Sequence, residues 1–72
     1  MTDTVLLNRY IKNSGLRKGK LAEMLDLSAG SFSRKVHNKD QFKANEIQAL
    51  CALLGINDYD SKERVFFAPD VH

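Results

Sequence analysis

With 72 residues and a 43% hydrophobic share, the chain is expected to form one domain, 1–72, with a modest core, and its composition excludes a disordered polymer. No apolar run approaches the roughly 20 residues of a bilayer-spanning helix, Thr2 and Asp3 stand where a secretion signal would be basic, and the single Cys51 excludes an internal disulfide, so a cytoplasmic location without a membrane partner is expected. The net charge is only +2, yet residues 9–43 carry +6, from Arg9, Lys12, Arg17, Lys18, Lys20, Arg34, Lys35, Lys39 and Lys43 against Glu23, Asp26 and Asp40, while residues 1–8 carry −1 and residues 44–72 carry −3. This division suits a nucleic-acid face with a separate second surface, and equally a solvated charged exterior.

The first predicted helix runs from about Thr4 to Asn13, with Thr2 or Asp3 as its N-cap. Leu6 with Tyr10 and Leu7 with Ile11 form i,i+4 pairs on neighbouring faces, giving a broad apolar stripe. Asn13-Ser14-Gly15 ends it, with Gly15 left-handed, and Leu16 turns the chain back onto the core. A short second helix covers about Lys18 to Leu25. Leu21, Ala22 and Leu25 share one face, and Gly19 costs about 1 kcal/mol relative to alanine. Asp26-Leu27-Ser28 is a tight interhelical turn, and Ser28 caps a third helix over about Ala29 to His37, whose buried pair is Phe32 and Val36. After the polar connection Asn38-Lys39-Asp40, Phe42 is expected to plug the core. A fourth helix, Ala44 to Leu54, carries the clearest periodicity in Ile47, Leu50, Cys51 and Leu54, and it stops at Gly55 with Ile56 following. Asp60 and Glu63 have capping-box spacing, which predicts a fifth short helix over about Asp58 to Phe67. No stretch alternates with the two-residue period of a strand, so the predicted fold class is all-α with five short helices.

Two short helices joined by a three-residue turn, over about residues 18–37, match a helix-turn-helix unit. Close approach beside the turn favours a small residue, which Ala22 supplies. Four residues later the turn needs a side chain tolerant of positive φ, and Asp26 stands where glycine is usual. Leu27 anchors the turn, and Phe32 and Val36 pack the third helix down. On these residues the run SGLRKGKLAEMLDLSAGSFSRKVHNKDQFKANEIQALCALLGI, 14–56, resembles the Cro/C1-type (XRE) helix-turn-helix family. The whole chain is similar to small Cro-like regulators of the modulator-of-repression type, found beside the repressor in temperate phages of Gram-positive bacteria. The resemblance implies a lambda-repressor-like DNA-binding domain and a part in the lysis–lysogeny decision. Such regulators oppose a phage repressor, by occupying operator DNA or by joining the repressor in a complex. Two departures bear on mechanism. The family usually opens its second helix with a Thr or Ser cap followed by a phosphate-binding Gln; Arg17 and Lys18 stand there instead, losing a cap and adding two charges. Where the family's recognition helix carries long polar side chains, this chain has Ala29 and Gly30, which thins base readout.

With Phe32 and Val36 inward, the 100° step per residue puts Gly30, Ser33, Arg34 and His37 on the outward face of the third helix. Together with Ser28, Ala29 and Ser31 they form the expected DNA- or partner-binding surface. Arg34 is able to grip a guanine's O6 and N7 with two hydrogen bonds; Ser33 reaches a base or a phosphate, and Ala29 a thymine methyl. Arg17, Lys18, Lys35, Asn38 and Lys39 flank the helix as expected phosphate contacts. The plain reading of the same cations is that they keep a small domain in solution.

No catalytic, cofactor or metal site is expected. His37, His72 and Cys51 lack metal-ligand spacing, Cys51 lies on the fourth helix's apolar stripe as a core thiol, and Gly15 and Gly19 belong to no phosphate loop. A helical domain of this size has little volume for converging catalytic groups, so the chain is not expected to be an enzyme. Near the end, Val65, Phe66, Phe67 and Ala68 cannot all face one core. Either Phe66 or Phe67 closes the core, or the stretch forms an apolar patch for a second subunit or a repressor, ahead of a short tail over about 68–72. A single helix-turn-helix makes few contacts, so pairing is expected. Two functions compete. One is an anti-repressor that binds the N-terminal DNA-binding domain of a phage repressor, double-stranded operator DNA, or both. The other is a Cro-like homodimer acting alone on the operator. The thin recognition helix and the acidic, aromatic C-terminal part favour the first; the +6 segment favours the second.

Overall fold

The computed structural model describes residues 1–69, which form α1 (Thr4–Ser14), α2 (Lys18–Met24), α3 (Ala29–Val36), α4 (Ala44–Leu54) and α5 (Tyr59–Phe66), with no strand among the described residues. Three helices start on an acceptor side chain that satisfies an orphan N–H of the first turn. Asp3 accepts from the Leu6 N–H at 3.0 Å, Ser28 from that of Ser31 at 3.1 Å, and Asp58 from that of Ser61 at 3.0 Å. The last corrects the expected Asp60–Glu63 capping box. Asp58 is the cap because the Ser61 hydroxyl also donates to it at 3.0 Å, and these two bonds hold its carboxyl below the usual pKa. Arg17 holds the cap position of α2 without a side-chain bond to the helix, since a guanidinium has no acceptor.

Four helices end on a left-handed residue: Gly15, Asp26 (φ 60°), Asn38 (φ 64°) and Gly55. At the two non-glycine positions the chain closes a Schellman motif. The Leu27 N–H donates to the Ala22 carbonyl at 2.9 Å and the Asp26 N–H to that of Glu23 at 3.0 Å. Likewise the Lys39 N–H donates to the Arg34 carbonyl at 2.8 Å and the Asn38 N–H to that of Lys35 at 3.3 Å. Asp26 is the left-handed residue expected from the sequence; Asn38, expected in a polar connection and as a phosphate contact, was not expected to be left-handed.

In the core, α1 packs on α4 and α5, and α2 packs on α3. Leu7, Leu21, Phe32, Val36, Leu50 and Val65 are its most deeply buried side chains. Phe42 lies edge-on to both Phe32 and Phe66, with ring centroids 6.1 and 5.7 Å apart, the favoured aromatic geometry. Phe66 therefore closes the core while Phe67 stays outside. Cys51 is buried as a core thiol, and that burial pushes its pKa up. Among the described residues no helix is long and apolar enough to cross a membrane.

Residues 1–3 run along the end of α5: the Asp3 N–H donates to the Val65 carbonyl at 2.7 Å and the Ala68 N–H to that of Met1 at 2.9 Å. From the other side the Asn38 amide clasps Thr2, accepting its N–H and donating to its carbonyl, both at 2.7 Å. The Thr4 hydroxyl donates to the Val36 carbonyl at 2.7 Å. The N-terminal segment thus ties the end of α3 to the end of α5. Of the expected tail only Ala68 and Pro69 are described; Asp70 and His72, which entered the charge and metal readings, lie outside the described residues.

Candidate nucleic-acid and partner interface

Phe32 and Val36 occupy the inner face of α3, at 2% and 1% exposure, and so turn the opposite face to solvent. Ser28, Ala29, Gly30, Ser33, Arg34 and His37 are all exposed, and Ser31 is half-buried. The Ser28 oxygen is occupied as the helix cap, which leaves its hydroxyl proton free to donate. A Cβ added to Gly30 would meet nothing within 4 Å, so packing inside the fold does not require glycine there.

Arg34 is not a free cation. Its Nε donates to Asp40 Oδ2 at 2.9 Å, with both side chains about half exposed. This bond, reinforced by the carboxylate's charge, holds the guanidinium pKa above its ordinary value. The terminal Nη groups have no protein partner among the described residues.

One expected phosphate contact is corrected. Lys35 lies three residues after Phe32 and one before Val36, which turns its stem inward. Its Nζ donates to Glu46 Oε1 at 2.7 Å, with both side chains buried. The same carboxylate oxygen accepts the Lys43 N–H at 2.8 Å at the start of α4. Burial pushes the Glu46 pKa up, but hydrogen bonds from Lys35 and the Lys43 backbone, with the charges of both lysines, outweigh it and hold the carboxyl below its usual range. Glu46 is thereby removed from the acidic C-terminal surface, which rests on Asp58, Asp60 and Glu63 among the described residues. The Asn38 amide clasps Thr2, yet the residue stays exposed and its second amide N–H faces no protein partner among the described residues. Arg17, Lys18 and Lys39 remain exposed.

A second surface adjoins the N-terminal segment. Met1 and Phe67 are 53% and 51% exposed, and both line a groove of about 280 Å³ with Phe42 and Phe66 at its base. Phe67 also borders a groove of about 370 Å³ with Leu6, Arg64 and Ala68. The expected apolar patch therefore centres on Phe67 and draws in Met1, which the helical pattern of the sequence does not flag. Sequence reasoning also misses Asp40, which a reversal of the chain six residues after Arg34 brings back onto it. Among the described residues no group of three or more His, Cys, Asp and Glu is placed to hold a metal ion. Set against protein-family models, curated proteins and solved structures, the chain matches none.

Proposed function

We propose that this chain is a transcription regulator of the lysis–lysogeny switch of a temperate phage, acting as an anti-repressor in the host cytoplasm. In this reading α2, the turn and α3 form a helix-turn-helix in a lambda-repressor-like domain. Its main ligand is the N-terminal DNA-binding domain of the phage repressor, with operator DNA as a further or shared ligand. The observation that carries the reading is the outer face of α3. It is exposed, yet Ala29 and Gly30 leave its leading turn almost without hydrogen-bonding side chains, while Lys35 is buried in an ion pair and the amide of Asn38, though exposed, is engaged by Thr2. Such a face makes few phosphate and base contacts. A protein ligand gains in addition from the apolar patch at Met1 and Phe67. The carboxylates of Asp58, Asp60 and Glu63 suit the basic DNA-binding surface of a repressor.

The test is a calorimetric titration of the chain into the repressor's N-terminal domain, repeated with operator duplex present, beside a mobility-shift assay of the chain alone. Saturable heat with the repressor domain and only weak shifting of duplex are expected. Tight operator binding by the chain alone, with no heat on adding repressor, overturns the anti-repressor reading. The second reading, a Cro-like homodimer acting directly on the operator, is favoured by one observation: Arg34 is exposed on the outward face, and neither terminal nitrogen has a protein partner among the described residues.

A further inference from the structure

We propose that Asp40 is a positioning residue that holds Arg34 as a preformed two-donor fork for the O6–N7 edge of a guanine in the major groove. The inference rests on the duplex-binding reading above.

The backbone builds this arrangement. The Arg34 carbonyl accepts the N–H groups of both Lys39, at 2.8 Å, and Asp40, at 3.3 Å. The chain therefore reverses around residue 34 itself, and the Asp40 carboxylate lands on the side chain of the residue it has just turned about. Asn38 makes the reversal with its left-handed φ of 64°, and the clasp on Thr2 pins Asn38 in place. Asp40 is thus delivered by a fixed turn and not by a loose loop.

The chemistry follows from which edge of the guanidinium is used. Asp40 Oδ2 takes the Nε hydrogen, leaving one N–H on each Nη directed away from the side-chain stem, two nearly parallel donors. Guanine is the base that offers two acceptors, O6 and N7, at that spacing in the major groove. A long arginine left free must be ordered on binding, whereas one already held at Nε has less freedom to lose. Stability does not explain the pair, because exposed ion pairs contribute little to folding. Nor does phosphate attraction, because a carboxylate on that face repels the backbone. A positioning role therefore makes two predictions of opposite sign: neutralising Asp40 weakens guanine preference while it strengthens binding to arbitrary duplex.

The experiment selects duplexes from a randomised pool with the full chain. It then measures affinity for the selected duplex, for arbitrary duplex, and for the selected duplex with each guanine replaced by 7-deazaguanine, which lacks the N7 acceptor. The unaltered chain is expected to prefer guanine at one position by about tenfold or more. Asp40→Ala should reduce that preference roughly threefold or more, hold arbitrary duplex as tightly or more tightly, and leave the urea unfolding midpoint unchanged. Arg34→Ala should abolish the preference, and adding Asp40→Ala to it should change that preference no further. Guanine preference that survives Asp40→Ala but not Arg34→Ala overturns the positioning role and leaves the duplex reading intact. Equal weakening on selected and arbitrary duplex also overturns it. A chain that enriches no sequence refutes the duplex reading and the Asp40 role together, and the repressor titration then stands as the separate test of the anti-repressor reading.

Discussion

The Glu46 carboxylate joins two helices, accepting the Lys35 ammonium from α3 and the Lys43 N–H that opens α4. Glu46→Gln leaves the buried Lys35 charge uncompensated, and a change of that kind costs about 3–5 kcal/mol. A lowered urea midpoint at neutral pH is the expected outcome. Because the folded pKa of Glu46 is depressed, its stabilising effect is complete above the unfolded value of about 4.3 and is lost as pH falls through the folded pKa. The unaltered chain should therefore lose stability more steeply than Glu46→Gln as pH drops below about 4. Parallel pH profiles would remove Glu46 from the acid response. A Lys35→Met, Glu46→Leu pair should recover most of the loss, since well-packed apolar residues can replace a buried ion pair.

Within α3, two substitutions should act with opposite signs. Phe32 is 2% exposed and edge-on to Phe42, so Phe32→Ala should destabilise by about 3–5 kcal/mol. That is a large share of the 5–15 kcal/mol typical of a folded domain, and a thermal melt that did not move would place Phe32 outside the core. Gly30→Ala should stabilise by about 0.4–1 kcal/mol, because a methyl group there meets nothing within 4 Å and alanine leaves the unfolded chain less freedom to lose. If Gly30→Ala raises the melting temperature and weakens binding of repressor or duplex, the ligand approaches the α3 backbone at that point. Unchanged binding would rule out such close approach. The elements themselves were legible because their signals are local. The Ile47, Leu50, Cys51, Leu54 stripe marks α4 from Ala44 to Leu54, and Ser28 and Asp26 mark the turn before α3. Asp60 and Glu63 mimic a capping box, but Asp58 wins with two bonds from Ser61. What was not legible depends on separated segments meeting. Lys35 finds its partner eleven residues away and Asn38 finds Thr2 thirty-six residues away, so each reads as an ordinary surface residue until the helices are packed.

Across the whole molecule, the nominal +6 of residues 9–43 overstates the charge offered to a ligand. Lys35 is neutralised inside by Glu46, Arg34 is engaged by Asp40, and Lys20 lies 4.0 Å from Glu23. Around the α2–α3 unit, the candidate phosphate-binding cations that remain exposed are Arg17, Lys18 and Lys39. Each phosphate contact on duplex DNA contributes about −0.9 to the slope of log K against log salt. One copy of the chain bound through these three should therefore give a slope of about −3, well short of what its nominal charge suggests. Fluorescence anisotropy with an arbitrary duplex, between about 50 and 200 mM salt, measures it. Lys18→Ala should flatten the slope by about 1, equally for every sequence, because a phosphate contact carries no sequence information. Lys35→Met should leave the slope unchanged in any sample that is still folded, since its ammonium is already paired inside. A slope that flattens on removing Lys35 would mean that the buried pair opens on DNA, and Glu46 would then return to the surface as a repelling charge.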